Sequence, residues 1–175
     1  VLLTDLPTLV ENAVQPNLRR NRNESHESNE DAPAWLQQQQ STKNGGVVRI
    51  GNGWASATAV DWTMPVQDQL QHIHSNTIDM IVSSDCVWLQ SMLHPLLDTV
   101  ASLFEMNSDC VFLMSFQRRD AKNNGGDNTM FTTRESIMEA IQAWGWNIKC
   151  LAWRKTIVEG EPEEKDVFLF EILPS

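Results

Sequence analysis

Cations, cysteines and long apolar runs are all scarce in this sequence, and each scarcity removes a class of function. Thirteen Lys and Arg stand against 23 Asp and Glu, a formal net charge of −10. A phosphate-backbone partner draws chiefly on clustered cations, so nucleic acid is not expected and a cationic partner is favoured. The three cysteines, Cys86, Cys110 and Cys150, are far apart, sit in apolar runs and lack Cys-x-x-Cys spacing. That pattern predicts reduced, buried thiols in an intracellular, cytoplasmic protein rather than disulfides or zinc. No apolar stretch approaches the ~18–20 residues of a membrane span, and no signal-peptide pattern precedes the first strand, so no membrane association is expected. A Ser/His/Asp order, a metal cluster and a Walker lysine are missing too, which leaves nucleophilic and metal-assisted catalysis little support. His72 and His74, two apart on a short predicted helix, point in different directions and cannot chelate one metal. Gly51-Asn52-Gly53 has no third glycine and no apolar helix directly after it, so it reads as a turn and not a phosphate loop. The sequence also lacks an initiator Met and opens inside an apolar strand, the reading of a fragment.

What is present is enough for one domain with a real core: 175 residues, 41% of them hydrophobic, against a usual ~100–200 per domain. The chain is organised around Thr77–Trp88, where Ile78, Met80, Ile81 and Val82 form a short apolar run ending at Ser84, Asp85 and Trp88. Such a run reads as a strand buried on both faces of a parallel sheet, and ligands bind beyond the carboxyl ends of those strands. Apolar residues at 93, 96, 97, 100, 103 and 104 then have the spacing of an amphipathic helix. The bland alternative is an ordinary strand–helix unit with a capping acid.

The same order recurs on either side. Val1–Thr4 predicts a buried strand ending at Asp5, followed by a helix that opens with Pro7 and is stopped or kinked at Pro16. Residues 19–46, rich in Asn, Ser, Glu and Gln, read as a solvated, disordered insertion with too little apolar surface to offset the entropy of ordering. Trp35 and Leu36 are its only large apolar residues, and an incidental contact is the expectation for them. Residues 47–62 predict a strand or hairpin ending at Asp61 and Trp62, and 110–116 a buried strand. Thr132 and Glu135 have capping-box spacing before a helix packed through Ile137, Met138, Ile141 and Trp144 and closed by Gly145. Residues 146–158 and 165–173, joined by the acidic turn 159–164, are too close for a parallel crossover and should pair antiparallel. Strand–helix repeats with a closing hairpin make an α/β sheet whose last strand opposes the others.

Three acids therefore end three strands: Asp5, Asp61 and Asp85. A carboxylate accepts two hydrogen bonds side by side, which suits ribose hydroxyls, and Trp62 beside Asp61 offers a flat face to an adenine ring. A nucleoside-containing cofactor fits such a rim. For any one acid alone, turn or capping chemistry is the simpler reading.

These stretches also carry a resemblance. Val1-Leu-Leu-Thr-Asp5-Leu-Pro with Asn17-Leu-Arg-Arg-Asn21, Ala59-Val-Asp61-Trp62, Ser83-Ser-Asp85-Cys-Val-Trp88 with Leu96-Leu97, and Phe116-Gln-Arg118 resemble segments of the seven-β-strand protein-lysine methyltransferases. They look most like the group containing the valosin-containing-protein lysine methyltransferase and its elongation-factor and chaperone-modifying relatives. The resemblance implies a Rossmann-like, mostly parallel sheet with helices on both faces and a C-terminal antiparallel hairpin. It implies a partial methyltransferase domain over 1–175, with the first strand and its glycine-rich loop missing before Val1. It further implies transfer of methyl from S-adenosylmethionine to a lysine of a protein substrate. By it, Asp5 would hold the ribose, Asp61 and Trp62 would border the adenine, and Ser84 would line the cofactor. Asp85 and Trp88 occupy the family's Asp-x-x-Tyr positions beside the lysine channel. Trp88 departs from that Tyr, losing a hydroxyl while keeping an aromatic wall. The alternatives are a non-catalytic interaction module on a degenerate version of the fold, and a small-molecule methyltransferase.

Overall fold

The computed structural model describes residues 1–22, 31–38, 46–70, 78–118, 130–157 and 164–175. His72, His74 and most of the acidic turn 159–164 lie outside them, as do the greater parts of the 19–46 insertion. The chain divides into two units, Val1–His74 and Ser75–Ser175.

In the first unit, strand β1 (Leu2–Asp5) runs parallel to β3 (Gly53–Ala59), which pairs antiparallel with β2 (Val48–Ile50). The β2–β3 hairpin turns at Gly51, whose φ of +58° a side chain would strain. After β1 come α1 (Pro7–Leu9), a wide π turn over Val10–Val14, and α2 (Gln15–Arg20). Pro16 does not end this helix. The Gln15 N–H reaches back to the Val10 carbonyl, and that extra residue carries the chain past the clash a proline makes with the carbonyl four residues before it. Val10 and Leu18 then cover Ala55 and Ala57 on one face of the sheet.

The opposite face is covered from inside the predicted insertion. Helix α3 (Ala34–Gln38) puts Leu36, only 1% exposed, into a cluster with Ala32, Val47, Leu2, Trp35 and Trp54. The expectation of an incidental contact is therefore corrected: two apolar residues on one turn of helix suffice once a strand face stands opposite. Leu36→Ala should cost about 2–4 kcal/mol. Replacing 21–44 by a short linker should lower the melting temperature by more than ~5 °C, read by thermal circular dichroism.

In the second unit, β4 (Met80–Ser84) is parallel to β5 (Val111–Gln117), while β7 (Glu164–Leu173) runs antiparallel to both β5 and β6 (Asn147–Ile157). The order is β4-β5-β7-β6, so the closing hairpin forms as expected but inserts its last strand inside the sheet. Along β5, Phe112, Met114 and Phe116 are buried and alternate with half-buried residues. They join Phe170 and Ile172 of β7 and the buried faces of α5 (Gln90–Met106) and α6 (Arg134–Ala143) as the core. Burial of β4 on both faces does not hold. Among the described residues it pairs only with β5, and Val82, on the alternate face, is 69% exposed. The edge position of β1 likewise leaves Leu3 exposed. Among the described residues no helix is long and apolar enough to cross a membrane.

The capping box of α6 lies one residue beyond its predicted place. Thr133 Oγ1 accepts from the Ser136 N–H at 3.0 Å and Ser136 Oγ from the Thr133 N–H at 3.0 Å, because Thr132 is buried and its N–H is given to the Trp88 carbonyl. At the other end Gly145, φ +73°, closes the helix, with Trp146 N–H bonded to Ile141 O and Gly145 N–H to Gln142 O. Cys86 is half-buried and Cys110 buried, but Cys150 is exposed on outer strand β6, so burial of all three thiols is also corrected. Burial pushes the Cys110 thiol pKa up.

Candidate functional site

Parallel pairing decides which residues reach a common rim. In the first unit Asp5 is the register partner of Ala59, and the Val60 N–H donates to the Asp5 carbonyl at 2.9 Å, so Asp5 and Asp61 leave the sheet at the same end. Asp5 Oδ1 accepts the Leu6 N–H at 2.8 Å, and among the described residues Oδ2 has no partner. Asp61 is more occupied. Its Oδ1 accepts the Thr63 hydroxyl at 2.7 Å and the Thr63 N–H at 2.9 Å. Those two bonds hold its carboxyl below the usual carboxylate range. Stability linked to that shift is present above the unfolded-state pKa and is lost as pH falls through the lower folded value.

Gln69 fastens the same turn: its side chain accepts the Asp61 N–H at 2.7 Å and donates to the Asp61 carbonyl at 2.9 Å and the Met64 carbonyl at 3.0 Å. Trp62 is half-buried within it. Asp61 thus shapes a rigid turn that presents Trp62, while Asp5 keeps an oxygen available for a ligand hydroxyl.

In the second unit the rim is formed by β4 and β5. Ser84 and Ser115 are register partners with their hydroxyl oxygens 3.0 Å apart, and the Asp85 N–H donates to the Ser115 carbonyl at 3.0 Å. Asp85 itself has φ +51°, the left-handed region, and among the described non-glycine residues it alone does. Asp and Asn tolerate that conformation better than other side chains, and strained backbone concentrates at functional sites. The capping alternative for Asp85 fails, because α5 has Leu89 at its N-cap with no side-chain cap. The acid turns the chain sharply at the end of the strand instead.

Trp88 follows three residues later, 42% exposed. Its carbonyl accepts the Thr132 N–H at 3.1 Å, Leu89 bridges Phe131, and the Gln90 N–H donates to Met130 O at 2.9 Å. The Phe131 ring lies 6.5 Å from the indole. The strip 130–133 before α6 therefore holds the Trp88 turn in place. Sequence reading missed this strip and Ser115, since neither a lone Phe nor a lone Ser carries a motif. The match of Ser84 to Ser115 emerges only from the register of β4 on β5.

Among the described residues no cluster of His, Cys, Asp or Glu could hold a metal ion. Taken by itself, the rim of the first unit, with a carboxylate oxygen that has no partner among the described residues and an indole on a rigid turn, suits a ligand that carries hydroxyls and a flat ring. A family model described as lysine methyltransferase matches residues 43–136. That span contains Asp61, Trp62, Ser84, Asp85 and Trp88, and Asp5 precedes it. No curated protein matches the sequence.

Proposed function

Because the chain belongs to the lysine methyltransferase family, we propose that it catalyses transfer of a methyl group from S-adenosylmethionine to a lysine side chain of a protein substrate. The family match carries this reading, and its span includes the Asp85–Trp88 turn. Within the family, the turn Asp85-Cys86-Val87-Trp88 favours the group containing the valosin-containing-protein lysine methyltransferase, with Trp where that group has Tyr.

In the proposal Asp5 would hold the ribose hydroxyls, Trp62, presented by the Asp61 turn, would border the adenine, and Ser84 would line the cofactor. S-adenosylmethionine supplies an activated methyl group on a sulfonium when bound. The rest falls to this chain's residues. Trp88 forms an aromatic wall that attracts the lysine ammonium by its ring face. Asp85 accepts a hydrogen bond from the nitrogen and fixes its approach, so that orientation supplies much of the rate. An aromatic wall also shields the amine from water, which favours loss of its proton. The net charge of −10 draws a lysine-bearing partner and repels nucleic acid. Three widely spaced free cysteines support a reducing, cytoplasmic setting.

The test is transfer of labelled methyl from S-adenosylmethionine by the complete gene product to proteins of a methylation-deficient extract. Labelled protein with methyl-lysine found by mass spectrometry is the expected result. Cofactor binding with no labelling would favour an interaction module, and label confined to small molecules a small-molecule methyltransferase.

A further inference from the structure

The unit that holds the Trp88 turn also holds a cleft of about 480 Å³ that the catalytic reading leaves unused. Its wall is aromatic. Trp153 of β6 and Phe168 of β7 are register partners, and Phe168 stacks on Phe170 at 5.8 Å with the rings 5° apart. Trp153 is 55% exposed, yet its Nε1–H donates to Asp166 Oδ1 at 3.2 Å, so the side chain is tethered while more than half of the residue stays open to solvent. The Arg134 guanidinium stands 6.0 Å over Phe168 and 3.3 Å from Glu135.

Among the described residues the charges around this wall cancel: Arg118 and Arg134 against Glu135 and Asp166. A phosphate or a polycation therefore gains no net attraction from these residues, whereas a large apolar side chain gains a preorganised, desolvating surface. Half-exposed tryptophans on rigid strands are the kind of residue that anchors protein–protein recognition.

The cleft is also tied to the catalytic turn. Phe131 lies 6.5 Å from Trp88 and precedes Arg134 by three residues, at most ~11 Å of chain. Together these lengths put Arg134 no more than roughly 18 Å from the Trp88 ring, a separation that at most about five extended residues of a bound polypeptide cover.

We infer that this cleft is a specificity subsite for the protein substrate, taking an aromatic or large aliphatic side chain no more than about five residues from the target lysine. The inference rests on the proposed lysine methylation for the identity of the polypeptide.

The test is a binding selection, which needs no turnover. Random peptides of about a dozen residues with one fixed central lysine are selected on the immobilised complete protein, then on Trp153→Ala and Trp153→Thr, the second keeping a strand-favouring residue. Folding is checked by circular dichroism. The expected result is enrichment of Trp, Phe, Leu or Met within about five positions of the lysine, with both variants binding the enriched peptides about tenfold or more weakly. No apolar enrichment, or enrichment that survives both substitutions in folded protein, overturns the subsite. Apolar enrichment that depends on Trp153 but is indifferent to replacing the lysine by Gln supports the cleft while removing the lysine-methylation reading.

Discussion

Asp85→Asn should lower methyl transfer by on the order of 10²-fold while leaving the circular dichroism spectrum and melting temperature of the protein unchanged. The substitution is isosteric, and Asn tolerates the left-handed φ of +51° that residue 85 adopts. The backbone bond from residue 85 N–H to the Ser115 carbonyl is untouched. The charge that, in the proposed function, orients the lysine nitrogen is lost. Asp85→Gly sharpens the experiment. It relieves the strained conformation, so stability should hold or rise by up to ~1 kcal/mol, yet activity should fall as in the Asn variant. Transfer at the wild-type rate by a folded Asp85→Asn protein would remove Asp85 from the reaction. In the same assay Trp88→Tyr should keep activity or alter substrate preference, since the aromatic wall persists, and Trp88→Ala should lose it.

Asp5→Ala should weaken S-adenosylmethionine binding by about 2–3 kcal/mol, a dissociation constant some 30- to 150-fold higher by calorimetric titration. The carboxylate would give two charge-assisted hydrogen bonds to ribose hydroxyls. Its loss leaves β1 paired, because the Val60 N–H bonds to the backbone carbonyl of residue 5 and not to its side chain. Asp61→Ala provides the contrast. It removes both Thr63 bonds and should loosen the turn that carries Trp62. Its effect should therefore appear in stability as well as in binding. An unchanged dissociation constant for Asp5→Ala would take that residue out of the cofactor's reach.

The places where sequence and structure part share one cause. Leu36 sits in a polar, low-complexity neighbourhood, and its burial depends on Leu2 and Trp54 from strands elsewhere in the chain and on Val47 just before β2. The capping box moved from Thr132 to Thr133 because Thr132 is held by Trp88, a residue 44 positions earlier. Of the stop or kink expected at Pro16 the stop is absent: the helix widens to a π turn just before it, and the inserted residue, a matter of backbone geometry, moves the obstructing carbonyl aside. Asp85 reads as a cap by residue type, yet its role is set by a left-handed φ at the end of a strand.

The sequence by itself determined the alternation of strands and helices, the position of the acids Asp5, Asp61 and Asp85 at strand ends, the hairpin after Gly145, and membership of a methyltransferase family. Each of these rests on periodicity, turn chemistry or motif spacing within a few residues, where local sterics decide. Only the tertiary structure decided that β7 lies between β5 and β6, that Ser84 faces Ser115, that Phe131 props Trp88, and that Trp153 and Phe168 share one wall. Those pairings join residues far apart in the chain. Their choice depends on which apolar faces can be covered together, a balance no local pattern expresses.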